Sequence, residues 1–173
     1  MTELIRLYTQ IALLRRGPQD LPASTLLLVL TVVGYLIVNV VVSTVLPPIK
    51  AWPGPLLVDT LFTLLWYVVL LRLAARPERT LQTASAVFGL QAVMAPLLVS
   101  SEWLMRRIEQ GSGWQLPVAT AGLLLLVWLI AANAHVVKAA LEWSGTTSVI
   151  LVILQVFSGQ LLLWAMFPSP GVA

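Results

Sequence analysis

The chain has 173 residues, 59% of them hydrophobic and 10% charged, with a mean hydropathy of +0.93 and a net charge of +3. It contains no cysteine and one histidine. That excludes disulfides, thiolate metal centres, thioether-attached haem, thiol redox chemistry and any single-chain site needing two imidazoles. Its ten Lys and Arg lie scattered beside apolar segments, which suits anionic lipid headgroups and not nucleic acid.

The first element predicted is a short amphipathic helix within Met1–Arg16. Leu4, Leu7, Tyr8, Ile11 and Leu14 recur at helical spacing, with Glu3, Arg6 and Gln10 opposite. Such a helix lies in the membrane interface, either as a plain lead-in or as a partner-binding element. Arg15 and Arg16 follow the apolar residues, the reverse of the order in a cleavable signal peptide. Gly17-Pro18 and Pro22 then break the helix, so residues 1–24 read as a cytoplasmic helix and linker.

Five apolar stretches follow, at Thr25–Leu46, Leu56–Ala74, Leu81–Met105, Leu116–Val137 and Thr147–Phe167. Each has close to the ~20 residues that cross ~30 Å of hydrocarbon as a helix. The expected fold is therefore all-α: a polytopic membrane protein of five transmembrane helices over residues 25–167, preceded by the interfacial helix and followed by a short tail at 168–173. Pro47-Pro48, Pro53 and Pro55 predict a stiff, extended first outer connection, and Pro77 a tight turn. Gly111-Ser112-Gly113 loosens the second outer loop, and Pro117 suits the first turn of span four. Trp52, Trp103, Trp114, Trp143 and Trp164 fall near predicted ends, as an aromatic belt requires; Trp66 and Trp128 do not.

Counting Lys and Arg in the short flanks gives seven on the side of the N-terminus and three on the other. The positive-inside rule then puts the N-terminus in the cytoplasm and the C-terminus outside, in a bacterial inner membrane.

Polar residues inside hydrocarbon are costly, and therefore informative. Span one carries Thr31, Tyr35, Asn39 and Ser43 as one stripe, and span two carries Asp59, Thr63 and Tyr67. Span three has Gln82, Ser85, Gly89 and Gln91, with a kink expected at Pro96. Span four ends in Asn133, His135 and Lys138, and span five has Ser148, Gln155 and Gly159 on one face. Two readings of Asn39, Asp59, Gln91, Asn133, His135, Lys138 and Gln155 stand side by side: hydrogen bonding between helices, or a polar path for an ion, a proton or a headgroup. Asp59, near the outer end of its span, is expected to pair with Lys50 or Arg106, and Glu102 with Arg106. His135, Lys138 and Glu142 are expected on one face at the end of span four, either as a basic helix end that snorkels and complements the helix dipole or as a contact for headgroups or a partner protein. A Ser158–His135 dyad is disfavoured, because glycine follows Ser158 and does not precede it. There is no Walker loop, no His-Glu-x-x-His motif, and no two acidic residues lie within three positions of each other. No catalytic residue, cofactor or metal is expected.

With this amphipathic start, the Arg15-Arg16-Gly17-Pro18 and Leu21-Pro22 lead-in, five spans and short connections, the layout resembles the Yip family of small membrane proteins and its bacterial relatives. The resemblance implies a cytoplasmic N-terminus, a five-span bundle and no assigned chemistry. The leading expectation is a non-enzymatic binding, organising or accessory subunit of a membrane complex, partnered by membrane lipids, another membrane protein or a second copy. A small transporter or channel lined by Asn39, Asp59 and Gln91 is the alternative, and a lipid-acting enzyme using His135 or Asp59 is the third.

Overall fold

The computed structural model describes residues 2–45, 53–109 and 111–167, and among them the regular structure is helical with no strand. The helices are α1 (Thr2–Ala12), α2 (Thr25–Val45), α3 (Pro53–Leu73), α4 (Thr80–Arg107), α5 (Gln115–Leu141) and α6 (Gly145–Met166). Single 3-10 turns at Pro18–Asp20 and Pro77–Arg79 lead into α2 and α4. The last five helices are long and apolar enough to cross a membrane, and the protein is an all-α, multi-pass membrane protein. Predicted residues 46–52, with Lys50 and Trp52, and the tail at 168–173 lie outside the described residues.

Boundaries differ from the sequence expectation where proline was read as a breaker. Pro53 and Pro55 belong to the first turn of α3 and not to an extended connection. A helix's first N–H groups have no partner inside the helix, so proline costs nothing there. At Pro96, by contrast, the helix runs on as the expected span did: the proline removes one hydrogen bond and does not end α4. α1 stops at Ala12, short of Arg16. Leu14 takes a left-handed conformation (φ 60°), and the Arg15 N–H reaches back to the Gln10 carbonyl at 2.9 Å. Ala75 ends α3 in the same way (φ 55°), with Arg76 N–H on the Leu71 carbonyl at 2.8 Å.

α2, α3 and α6, at 21, 21 and 22 residues, are about 32 Å long and match the hydrocarbon core. α4 and α5, at 28 and 27 residues, run to about 40 Å and exceed it. The chain passes up and down between two ends. One, here the arginine end, holds the α3–α4 and α5–α6 turns, joined by Arg76 and Arg79 to Glu142. The far end holds the start of α3 and the close of α6, where the Phe167 ring covers Gly54.

The core is centred on α4. All eight residues from Thr83 to Leu90 are buried, so this part of α4 has protein on every side and not along one stripe. The residues are mostly small (Ala84, Ser85, Ala86, Gly89), which lets α1, α2, α3 and α5 approach. α3 and α6 run antiparallel, setting Phe62 against Gly159 and Tyr67 against Gln155. A Cβ on Gly159 would lie 3.2 Å from the Phe62 ring.

Candidate functional site

The sequence-predicted polar residues separate into distinct clusters. Asp59 does not pair with Arg106, which is occupied by Glu102 at 2.5 Å, four residues back on its own helix. The Asp59 carboxylate instead accepts the Tyr35 hydroxyl of α2 at 3.0 Å. A tyrosine one stripe away satisfies a carboxylate within the membrane at lower desolvation cost than a guanidinium would. Asn39 donates to the Tyr35 carbonyl at 2.9 Å, and the Tyr35 ring tilts against Phe88 of α4 at 5.3 Å. Tyr35, and not Gln91, is therefore the group joined to Asp59. Gln91 Oε1 is buried without a hydrogen-bond partner.

Gln155 accepts the Tyr67 hydroxyl at 2.7 Å, in a buried bond between α6 and α3. Below it, Ser148 turns its hydroxyl onto the Ser144 carbonyl at 3.0 Å. Asn133 is buried and donates to the Leu129 carbonyl at 2.9 Å, while its Oδ1 has no partner. Thr83 Oγ1, Ser85 Oγ and Trp66 Nε1 are likewise buried and unpartnered. Among the described residues, no group of three or more His, Asp and Glu gathers as a metal site would.

At the arginine end, His135 and Lys138 lie within α5, and Glu142 is the residue that caps it. α5 ends at Leu141, and Glu142 leaves the helix in a left-handed conformation (φ 58°). Its carboxylate there takes Arg79 at 2.7 Å and Arg76 at 2.5 Å. Those two hydrogen bonds, Arg79's foremost, hold the Glu142 carboxyl below the ordinary carboxylate range. Arg79 also donates to the Ala139 and Ala140 carbonyls at 3.1 and 3.0 Å, capping the α5 C-terminus with its guanidinium. Lys138 is exposed and His135 half-buried on the last turns of α5. Ser158 lies 13 residues into α6 and His135 six residues from the end of α5, so the two stand about 10 Å apart along the bundle.

The sequence reading named Tyr8, Ile11, Thr31, Gln82, Gly89 and Trp128 separately; the structure brings them together to fix the N-terminal segment. Tyr8 lies so close over Gly89 that a Cβ there would sit 2.2 Å from its ring, and its hydroxyl meets Thr31 at 2.8 Å. Ile11 is completely buried. The indole N–H of Trp128 donates to the Ala12 carbonyl at 2.7 Å, and Gln82 donates to the Leu21 carbonyl at 2.7 Å. α1 is thus laid along the flank of α2, α4 and α5, held by groups well inside those helices: Thr31 lies about 9 Å along α2, and Gly89 about 14 Å along α4. One signal was present in the sequence. A mid-span tryptophan N–H gains from an acceptor, and a helix end offers one; Trp128 finds it on Ala12, whereas Trp66 does not.

These features define a class, a five-span helical membrane protein with an N-terminal helix bound to its side. Comparisons with protein-family models, with curated proteins and with solved structures return no match.

Proposed function

We propose that the chain is a non-enzymatic integral membrane protein of the bacterial inner membrane, acting as a binding, organising or accessory subunit of a membrane complex. The reading is supported by a chain given over to apolar helices, by the lack of a catalytic motif in its sequence, and by polar stripes suited to helix docking. The chain's N-terminus is cytoplasmic and its C-terminus periplasmic. The observation that carries the reading is an apolar cleft of about 480 Å³ between α2 and α4 toward the far end, lined by Ile37, Val38, Val42, Pro96, Val99 and Trp103. Among the described lining residues the one hydroxyl, Ser100, is turned onto the Pro96 carbonyl at 2.6 Å, so this wall offers van der Waals contact to an apolar helix. A photoreactive amino acid at Val99, activated in native membranes, is expected to yield a defined protein adduct. Adducts with lipid alone overturn the subunit reading. Reporter fusions at both termini test the orientation, and equal reporter activity from one face overturns it.

The Tyr35–Asp59 bond favours a second reading, a small transporter or channel, because it places an ionisable group between two spanning helices. Asp59→Asn in a correctly inserted protein would then abolish a proton- or ion-dependent flux in proteoliposomes. Unchanged flux or growth under ion stress removes this reading.

A further inference from the structure

We infer that α1 and the turn that follows it hold one anionic glycerophospholipid, its phosphate between Arg6 and Arg16 and an acyl chain against α2 and α4. The left-handed Leu14 reverses the chain after α1, and this reversal returns Arg16 to the helix face that carries Arg6 and Gln10. Leu4, Arg6, Leu7, Gln10 and Arg16 together line a cleft of about 410 Å³. Its wall is half polar in character: two guanidiniums and an amide above two leucines.

Four arginines elsewhere in the molecule are occupied, while Arg15 and Arg72 are exposed and, among the described residues, line no cleft with a second cation. Arg76 and Arg79 face Glu142, Arg106 faces Glu102, and Arg107 lies over the Trp103 ring at 4.5 Å. Among the described residues, Arg6 and Arg16 make no such pair. Two planar cations with no carboxylate beside them among the described side chains, converging with an amide donor, suit the tetrahedral oxygens of a phosphodiester.

The second half of the ligand is argued from the other side of α1. Leu4 also borders an apolar groove of about 470 Å³ whose walls include Ile5, Leu27, Leu30, Gly34 and Val93. Nothing lies within 4 Å of where a Gly34 Cβ would stand, so the groove is open at that point. The groove's hydroxyls, Tyr8 and Thr31, are bonded to each other and make no demand on an occupant. A headgroup cleft and a tail groove that share one leucine match a molecule with a phosphate at one end and a hydrocarbon chain at the other. A soluble phosphate would use only the first, and an apolar partner helix only the second. The inference stands on membrane location and not on the accessory-subunit reading, so it and the Val99 cross-link can fail separately.

The test uses the full chain in nanodiscs of equal phosphatidylglycerol and phosphatidylcholine, with the retained lipid counted by native mass spectrometry. The unmodified protein is expected to retain phosphatidylglycerol selectively, and R6Q/R16Q to lose about ten-fold of that retention. R72Q removes an exposed arginine outside the cleft and is expected to retain it. Equal retention by R6Q/R16Q, or equal loss in R72Q, overturns the site. Gly34→Leu fills the groove while leaving both arginines; it is expected to reduce retention about three-fold with helix content unchanged, and it decides the matter if the double variant does not fold. Displacement of the lipid by millimolar glycerol phosphate shows a free-anion site and overturns the lipid assignment. So does a protein that stays bound to this surface after lipid exchange.

Discussion

At the arginine end, the helices close on α4 so fully that Thr83 through Leu90 are all buried, whereas beyond Met94 the same helix has one side against α2 and a cleft beside Pro96. The closed half is joined by bonds between residues far apart in sequence: Tyr8 to Thr31, Tyr67 to Gln155, Gln82 to Leu21, Trp128 to Ala12, and two arginines to Glu142. In the far half, Glu102 pairs with Arg106 within one helix and Arg107 stacks on Trp103, and the longer-range bond there is Tyr35 to Asp59. The difference teaches that the hydrogen-bonded half is the scaffold, while the half with free apolar wall is where a partner has room.

The largest effect expected from breaking this contrast is at Gly89. Leucine there must displace Tyr8 and with it the Tyr8–Thr31 bond, costing about 1–3 kcal/mol by overpacking. The readouts are a lower Tm in detergent and faster tryptic cleavage near Arg15. Gly34→Ala, which meets open space, is the matched control and should change stability by less than about 0.5 kcal/mol. Equal losses from the two would mean that Tyr8 does not close over Gly89 as described.

Next in size is Tyr67→Phe, which leaves Gln155 Oε1 buried without its donor. The cost is about 1 kcal/mol, toward the low end of buried-group losses because partners inside a membrane gain less than expected. Gln155→Leu combined with Tyr67→Phe should recover part of it. Additive losses in the double variant would show that the two groups are not coupled.

A smaller change, of opposite sign, is expected from Ala75→Gly. Ala75 holds a left-handed conformation that glycine adopts freely, so Tm should rise by the equivalent of about 0.5 kcal/mol.

The smallest is at Glu142, which is exposed and screened. Its folded-state pKa lies below the ordinary 4.5, so its contribution is complete above about pH 4.5 and is lost as pH falls through the depressed value. Glu142→Gln should lower Tm slightly at pH 7 and flatten the acid limb of the stability profile. A variant that loses stability between about pH 6 and 8 would contradict this assignment.

The location and approximate ends of the five spans were legible in the sequence because a lipid solvent enforces one requirement everywhere: about twenty apolar residues with every backbone group bonded within the helix. The amphipathic start was legible from its periodicity, as was the Glu102–Arg106 pair, since both are local. Which spans touch was not. Span three has the lowest mean hydropathy of the five, yet it is the central helix, half buried, while the greasier Thr25–Val42 segment is mostly exposed. In water, burial would have ranked them the other way. In a bilayer, a side chain facing lipid and one facing protein are both in apolar surroundings, and hydropathy does not separate them.

Sequence alone thus determined an all-helical, five-span, multi-pass membrane protein with an amphipathic N-terminal helix, because helix length and periodicity are properties of short stretches of chain. Tertiary structure alone decided that Asp59 meets Tyr35 and not an arginine, that Glu142 turns to Arg76 and Arg79, that Trp128 and Gly89 dock α1, and that the polar residues divide into separate clusters. Each of these is fixed by which helix lies beside which, and that choice rests on small residues such as Gly89 and Gly159 permitting close approach, a steric fact that no single segment records.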